Sequence, residues 1–204
     1  MENKLKKRLD NYINDNPAIP GIIASIQKGK DRIFSAASGF RTLDSSKTIN
    51  GNNLTIHTEQ IMQPADAFFA GSILKSFVST IILKMVEDGA IALDMPITDI
   101  LPETIGENVN CRINSIQHVE RITVRMLLNH TSGIADWCDE VMIRQIMVTP
   151  ERVWEEAEFV EYGATLTPSF APSESWEYSN TNYSLLSYIA NVALKKQGKA
   201  TQWR

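Results

Sequence analysis

The chain has 204 residues, 43% of them hydrophobic and 22% charged, which excludes the polar, highly charged composition of a disordered segment and supplies apolar material for a core. Its formal net charge of -4 argues against a nucleic-acid or anionic-membrane partner, since both attract clustered Lys and Arg. No run approaches the roughly 18 apolar residues of a membrane span, and Met1 leads into a polar amphipathic segment rather than a signal peptide, so a soluble chain, cytoplasmic as written, is expected.

The elements follow in chain order. Lys4, Lys6, Lys7 and Arg8 interleave with Leu5, Leu9, Tyr12 and Ile13 at near-helical spacing, which predicts a helix with a solvated face. Residues 22–27 read as a buried strand, 28–31 as a turn and 32–38 as a returning strand, together an antiparallel hairpin over 20–39. The polar, Ser/Asn/Gly-rich stretch 42–55 reads as a loop. Over 72–88, Ile73, Leu74, Phe77, Val78, Ile81, Ile82 and Met85 recur at threes and fours, and Gly89 supplies a stop. Its apolar circumference predicts the buried central helix of the domain. A further helix is expected over 123–129, with Thr123 as N-cap and Gly133 closing the segment that follows. Helices over 150–162 and 181–195 complete a mostly helical second half. Cys111 and Cys138 show neither C-x-x-C spacing nor metal-ligand spacing with His57, His118 or His130, so free thiols and no zinc are expected.

Two short motifs carry chemistry. Ser72-Ile73-Leu74-Lys75 opens the strongest helix, and positions three apart share a helix face, so the Lys75 amine can reach the Ser72 hydroxyl. A serine hydroxyl needs an adjacent base to act as a nucleophile, and unpaired N–H groups at a helix start favour negative charge developing beside it. The bland reading is an N-cap serine and a solvated lysine. Further on, Tyr178-Ser179-Asn180 brings a phenol that can relay a proton and an amide that can orient a lysine or a substrate carbonyl; the bland reading is an aromatic loop entering a helix. His130 and Ser132, two residues apart on a turn, read as structural groups capping the preceding helix. The carboxylates of Asp94, Asp136 and Glu174 show no spacing that marks a paired acid-base site. Trp137 and Trp176 read as core or pocket wall.

Taken together, these segments carry a resemblance. Residues 68–77, Phe-Phe-Ala-Gly-Ser-Ile-Leu-Lys-Ser-Phe, resemble the nucleophile segment of the class C β-lactamase family, which includes D-alanyl-D-alanine carboxypeptidases and esterases. Residues 122–133 are similar to that family's hallmark helix and loop, with Met126 where histidine is frequent. Tyr178-Ser179-Asn180 resembles its Y-x-N motif, and residues 89–97 the turn after the nucleophile helix. The resemblance implies an α/β fold of the α+β type, β-lactamase/transpeptidase-like: an N-terminal hairpin of an antiparallel sheet plus a mostly helical domain, with the C-terminal sheet strands missing. It implies Ser72 as nucleophile, Lys75 as its proton-managing partner, Tyr178 as general base or relay, and Asn180 as a substrate-binding amide. The reaction implied is hydrolysis of an amide, ester or β-lactam through an acyl-serine intermediate, on a small-molecule or peptide-like substrate and without a cofactor.

The family's third motif, K-T-G or H-x-G on a later strand, is not in this sequence, so a partial domain over 1–204 is expected. Its parts are a helix and hairpin over 1–58, a helical region over 59–195 and a polar tail over 196–204. The resemblance places one oxyanion-hole donor on that later strand, and losing such a donor costs about 100- to 1000-fold in rate. The alternative function is therefore a catalytically inactive remnant or a binding module. An unpaired sheet edge would favour self-association.

Overall fold

The structure, a computed structural model, describes residues 2–41, 43–49, 52–56, 60–106, 111–196 and 198. The chain divides into two compact units, Met1–Phe69 and Ala70–Arg204. The N-terminal unit begins with the expected amphipathic helix, α1 (Glu2–Asp15), followed by β1 (Gly21–Lys28) and β2 (Asp31–Gly39). The two strands pair antiparallel from Gly21 opposite Gly39 to Lys28 opposite Asp31, with an irregularity at Ile26/Gln27. The pairing starts tightly, because Gly39 has φ +82° and a Cβ there would lie 2.3 Å from the Pro20 carbonyl oxygen. Helix α1 packs on β2 through buried Leu9, Ala36 and Ala37. Asp10 accepts the Ser38 hydroxyl at 2.5 Å and pairs with Lys6. Those contacts, Lys6 first, lower the Asp10 carboxyl below its ordinary range.

The stretch expected as a loop forms a second antiparallel hairpin, β3 (Leu43–Ile49) and β4 (Asn52–Ile56), with Leu43 opposite Ile56 and Ile49 opposite Asn52. Thr48, Ile49, Thr55 and Ile56 give both strands β-branched ends that favour extended backbone, and this outweighs the polar composition around them.

The second unit is helical. A 3₁₀ turn over Gly71–Ile73 leads into α2 (Leu74–Glu87), which ends at Gly89 with φ +71°. A short pair, β5 (Thr104–Ile105) and β6 (Cys111–Arg112), precedes α3 (Val124–Leu128). Helices α4 (Glu140–Val148), α5 (Glu156–Thr165) and α6 (Asn180–Lys196) follow. Thr123 caps α3 by accepting the Met126 N–H, as its sequence position predicts. The helix expected over 150–162 begins only at α5, where the Glu158 carboxylate accepts the Glu155 N–H at 2.9 Å and sets the first turn. Most of the tail, 199–204, lies outside the described residues.

The central helix is α6, not the helix over 72–88. It buries Thr181, Asn182, Ser184, Leu185, Leu186, Ile189, Ala190 and Ala193 and contacts α2, α3 and α5. Helix α2 buries Ile82 and Met85, while Ile73, Leu74 and Phe77 are 62%, 60% and 63% exposed. Small side chains explain the difference: Ser184, Ala190 and Ala193 let three helices approach one axis, whereas the bulky residues of α2 offer more apolar surface than one contact face covers. Ile97, Ile113, Ile122, Val124, Leu127 and Val160 complete the core.

Close approach is sharpest at Gly163 in α5, where an added Cβ would lie 2.6 Å from Thr181 Oγ1 and 2.9 Å from its Cγ2. Thr181 cannot yield, because its buried hydroxyl donates to the Ala135 carbonyl at 2.6 Å and accepts the Trp137 N–H at 3.1 Å. Gly163→Ala is expected to destabilise the chain by about 1–3 kcal/mol, the range for overpacking a filled core. A denaturant titration read by circular dichroism measures this, and an unchanged midpoint would show that α5 and α6 can part freely.

Candidate active site

The loop between α3 and α4 and the first turn of α6 build the site by hydrogen-bonding to each other. His130 follows the α3 cap residue Asn129 with φ +61°, and the Thr131 N–H closes the helix end on the Met126 carbonyl at 2.9 Å. Glycine would take this left-handed position without strain. The imidazole explains the histidine: Nδ1 accepts the Ser179 N–H at 3.2 Å and lies 3.3 Å from Asn182 Nδ2. The neutral ring then carries its proton on Nε2. The ring also lies between Tyr178 and Tyr183, at centroid distances of 4.7 and 5.3 Å. Ser132 is buried and donates to Asn182 Oδ1 at 2.7 Å. Neither side chain is the α3 cap that its sequence position suggested; both tie the loop to the start of α6 instead.

This frame brings all the predicted site residues together within the second unit. Ser72 Oγ lies 3.0 Å from Tyr178 Oη and 3.5 Å from Lys75 Nζ. The second distance is long for a hydrogen bond, so the phenol is the closer partner of the nucleophile candidate. Lys75 Nζ donates to Asn180 Oδ1 at 2.6 Å, and Tyr178 Oη lies 3.3 Å from the same oxygen. The ammonium also faces the rings of Tyr178 and Tyr183, 5.2 and 5.5 Å from their centroids. Ser72 and Tyr178 are open to solvent, Lys75 and Asn180 are half-buried, and Trp176, edge-on to the His130 ring at 6.1 Å, is 62% exposed rather than in the core.

Asp136 was not legible from spacing. It accepts the Asn180 backbone N–H at 2.9 Å and takes the Asn180 side-chain amide on both oxygens at 3.1 Å. Asp94 is engaged elsewhere, with the Arg125 guanidinium at 2.7 and 2.8 Å, and Glu174 is exposed. Cys111 is a buried free thiol whose pKa burial raises to about 11, and Cys138 is an exposed one. Among the described residues no cluster of His, Cys, Asp and Glu could hold a metal ion, and no helix is long and apolar enough to cross a membrane.

A serine, a lysine one turn on and a tyrosine that meets both from a neighbouring segment are the parts of an acyl-serine site. The chain belongs to the β-lactamase family, whose profile, described as Beta-lactamase, matches residues 9–200. It is 28% identical over 161 residues to a lovastatin esterase of Penicillium rubens, covering 72% of this chain and 36% of that one. Among solved structures it superposes on a D-stereospecific amidohydrolase from Streptomyces sp. with TM-score 0.71 and 25% identity, covering 96% of this chain and 50% of that one. An octameric penicillin-binding protein homologue from Pyrococcus abyssi gives TM-score 0.66 and 25% identity over 96% of this chain and 40% of that one. The chain thus spans about half or less of the length of these proteins. Its helices and small antiparallel sheets match the β-lactamase/transpeptidase fold.

Burial, then the Lys75 ammonium, lower the His130 pKa below the ordinary 6.5, against a smaller raising effect of Asp136. The unfolded chain therefore takes up this proton first. Stability is full above about 6.5 and falls as pH drops from there until the folded-state value is passed. His130→Gln should flatten that part of the profile, as read by urea unfolding at stepped pH. An equally steep decline in the variant would assign the loss to other groups.

Proposed function

We propose that the chain acts as a serine hydrolase, transferring an acyl group from an amide, ester or β-lactam to Ser72 and then to water. The observation that carries this reading is the contact of Ser72 Oγ with Tyr178 Oη at 3.0 Å, beside a lysine whose ammonium is fixed by Asn180 at 2.6 Å. In the first half-reaction Ser72 Oγ bonds to the carbonyl carbon as its proton passes to the Tyr178 oxygen and the phenol's own proton moves on to the leaving nitrogen or oxygen, with Lys75 stabilising the negative charge that develops between them. Collapse of the tetrahedral adduct breaks the bond to the amine or alkoxide, which leaves with that proton. Water then attacks the acyl carbon, the bond to Ser72 Oγ breaks to release the acid, and the water proton passes through the Tyr178 oxygen back to Ser72 Oγ. The placement of Ser72 in the turn that opens α2 supports the reading, because the helix start favours the negative oxygen that forms on attack.

Asn180 holds Lys75 through its amide oxygen, while its amide nitrogen, which has two N–H donors and contacts Asp136, is the group that would carry the substrate-binding part implied by the family resemblance. The ester and amide substrates named for the Penicillium and Streptomyces proteins support an acyl-transfer substrate class for this chain.

Incubating the folded chain with a fluorescent fluorophosphonate or a fluorescent penicillin should yield one covalent adduct, mapped by mass spectrometry to Ser72. Ser72→Ala should abolish it, and Tyr178→Phe should slow it by about 100-fold or more, the lower range for losing a positioned proton-transfer group. An adduct that survives in Ser72→Ala would overturn the assignment. No adduct on the folded chain would leave a binding module in place of a hydrolase.

A further inference from the structure

We propose that Asp136 is a positioning residue that sets which end of the Asn180 side-chain amide faces Lys75. An asparagine amide has an acceptor end and a donor end of nearly equal shape, and hydrogen bonding alone decides which way it points. At position 180 one end meets Lys75 Nζ at 2.6 Å and the other lies between the Asp136 oxygens at 3.1 Å each. A carboxylate only accepts and an ammonium only donates, so a single orientation pairs every group: Nδ2 on Asp136 and Oδ1 on Lys75. Rotating the amide would set donor against donor on one side and acceptor against acceptor on the other. This inference rests on the hydrolase reading only for its effect on rate; the amide orientation stands on geometry.

The two Asp136 oxygens do different work. Oδ1 accepts the backbone N–H groups of Asn180 and Cys138 at 2.9 and 3.1 Å, fixing the start of α6 against the loop. Among the described residues Oδ2 accepts only from Asn180 Nδ2, which Oδ1 also accepts at the same 3.1 Å. Asp136→Asn separates these roles. A carboxamide oxygen in the Oδ1 place keeps the backbone contacts, while the NH₂ in the Oδ2 place opposes Nδ2 of Asn180. Asn180 Nδ2 then keeps one acceptor, the oxygen in the Oδ1 place, and faces a donor where the other stood, so the preference for one amide orientation is weakened.

The experiment uses the wild type, Asp136→Asn and, to assign the signals, Asn180→Asp. In the wild type the Asn180 side-chain amide protons, identified by NMR from their loss in Asn180→Asp, should exchange slowly with solvent. In Asp136→Asn they should exchange at least tenfold faster, while the backbone amides of α6 keep their protection. The rate of Ser72 labelling should fall by at least about tenfold, the smaller end of what misplacing a proton-transfer partner costs. Wild-type exchange in Asp136→Asn would overturn the proposal and reduce Asp136 to a helix anchor, whatever the labelling rate. Faster exchange in a chain that takes no label even as wild type would sustain the positioning role and remove the hydrolase reading alone. Faster exchange with an undiminished labelling rate would overturn the link from Asp136 to Lys75.

Discussion

Buried polar groups must find partners, and the first turn of α6 contains many of them. Ser179, Thr181, Asn182 and Ser184 are all at most 3% exposed. Leaving one unpaired would cost about 1–3 kcal/mol. Three of these side chains are answered by the loop after α3. Ser179 and Thr181 donate to the Ala135 carbonyl, and Asn182 meets Ser132 and His130. The loop has little regular structure of its own, so this exchange is what gives it shape. Tyr178, Asn180 and Asp136 inherit their positions from that exchange. Tyr178 and Asn180 flank Ser179, whose N–H is held by His130, and Asp136 follows directly on Ala135.

Helix α2 brings the other half of the arrangement, and the two halves meet along its contact with α6. Ser79 and Tyr183 share a hydrogen bond at 2.9 Å one turn beyond Lys75 and Asn180. That contact lies on the face of α2 that carries Lys75 and, with buried Ile82 and Met85, holds this face toward α6. The helix field at the start of α2 opposes a cation, and the Asn180 carbonyl oxygen and two aromatic faces offset this for Lys75. The same field favours negative charge at Ser72. One helix start thus acts on the two side chains in opposite senses, and the amide offsets this for the lysine.

Features written in local pattern were legible in the sequence. The apolar recurrence from Ile73 to Met85 and the Thr123 cap placed α2 and α3, and the turn at Lys28-Gly29-Lys30-Asp31 placed the first hairpin. The S-x-x-K and Y-x-N segments pointed to side chains that the fold does bring within hydrogen-bond reach. What escaped depends on contacts distant in sequence. The centrality of α6 was hidden because its buried face includes Thr181, Asn182 and Ser184, polar residues that only tertiary partners make acceptable inside. Helix α4 has a cap in Asp139, which accepts the Met142 N–H at 2.8 Å, but Val141, Met147 and Val148 stay exposed and leave no clear apolar stripe in its sequence. The hairpin of β3 and β4 was masked by its Ser and Asn content, although Asn50-Gly51 is a strong hairpin dipeptide. Asp136 carries no pattern at all, since its meaning arises only where residue 180 arrives beside it.

The amide between Asp136 and Lys75 also explains why the two charges do not simply pair. A direct ion pair would hold the ammonium against the carboxylate, and a half-buried lysine bound that way would be drawn from Ser72. With Asn180 between them, the carboxylate acts on the lysine through an oriented dipole. Its negative end meets Nζ at 2.6 Å while Ser72 Oγ remains 3.5 Å away on the other side. The lysine is then restrained in direction but keeps donors for the Ser72–Tyr178 pair. Tyr178 Oη, 3.0 Å from Ser72 and 3.3 Å from Asn180 Oδ1, closes the arrangement into a ring of hydrogen-bonding groups. In the proposed acyl transfer, a proton leaving Ser72 would find the Tyr178 oxygen already in place, the preorganisation that lowers the cost of moving charge.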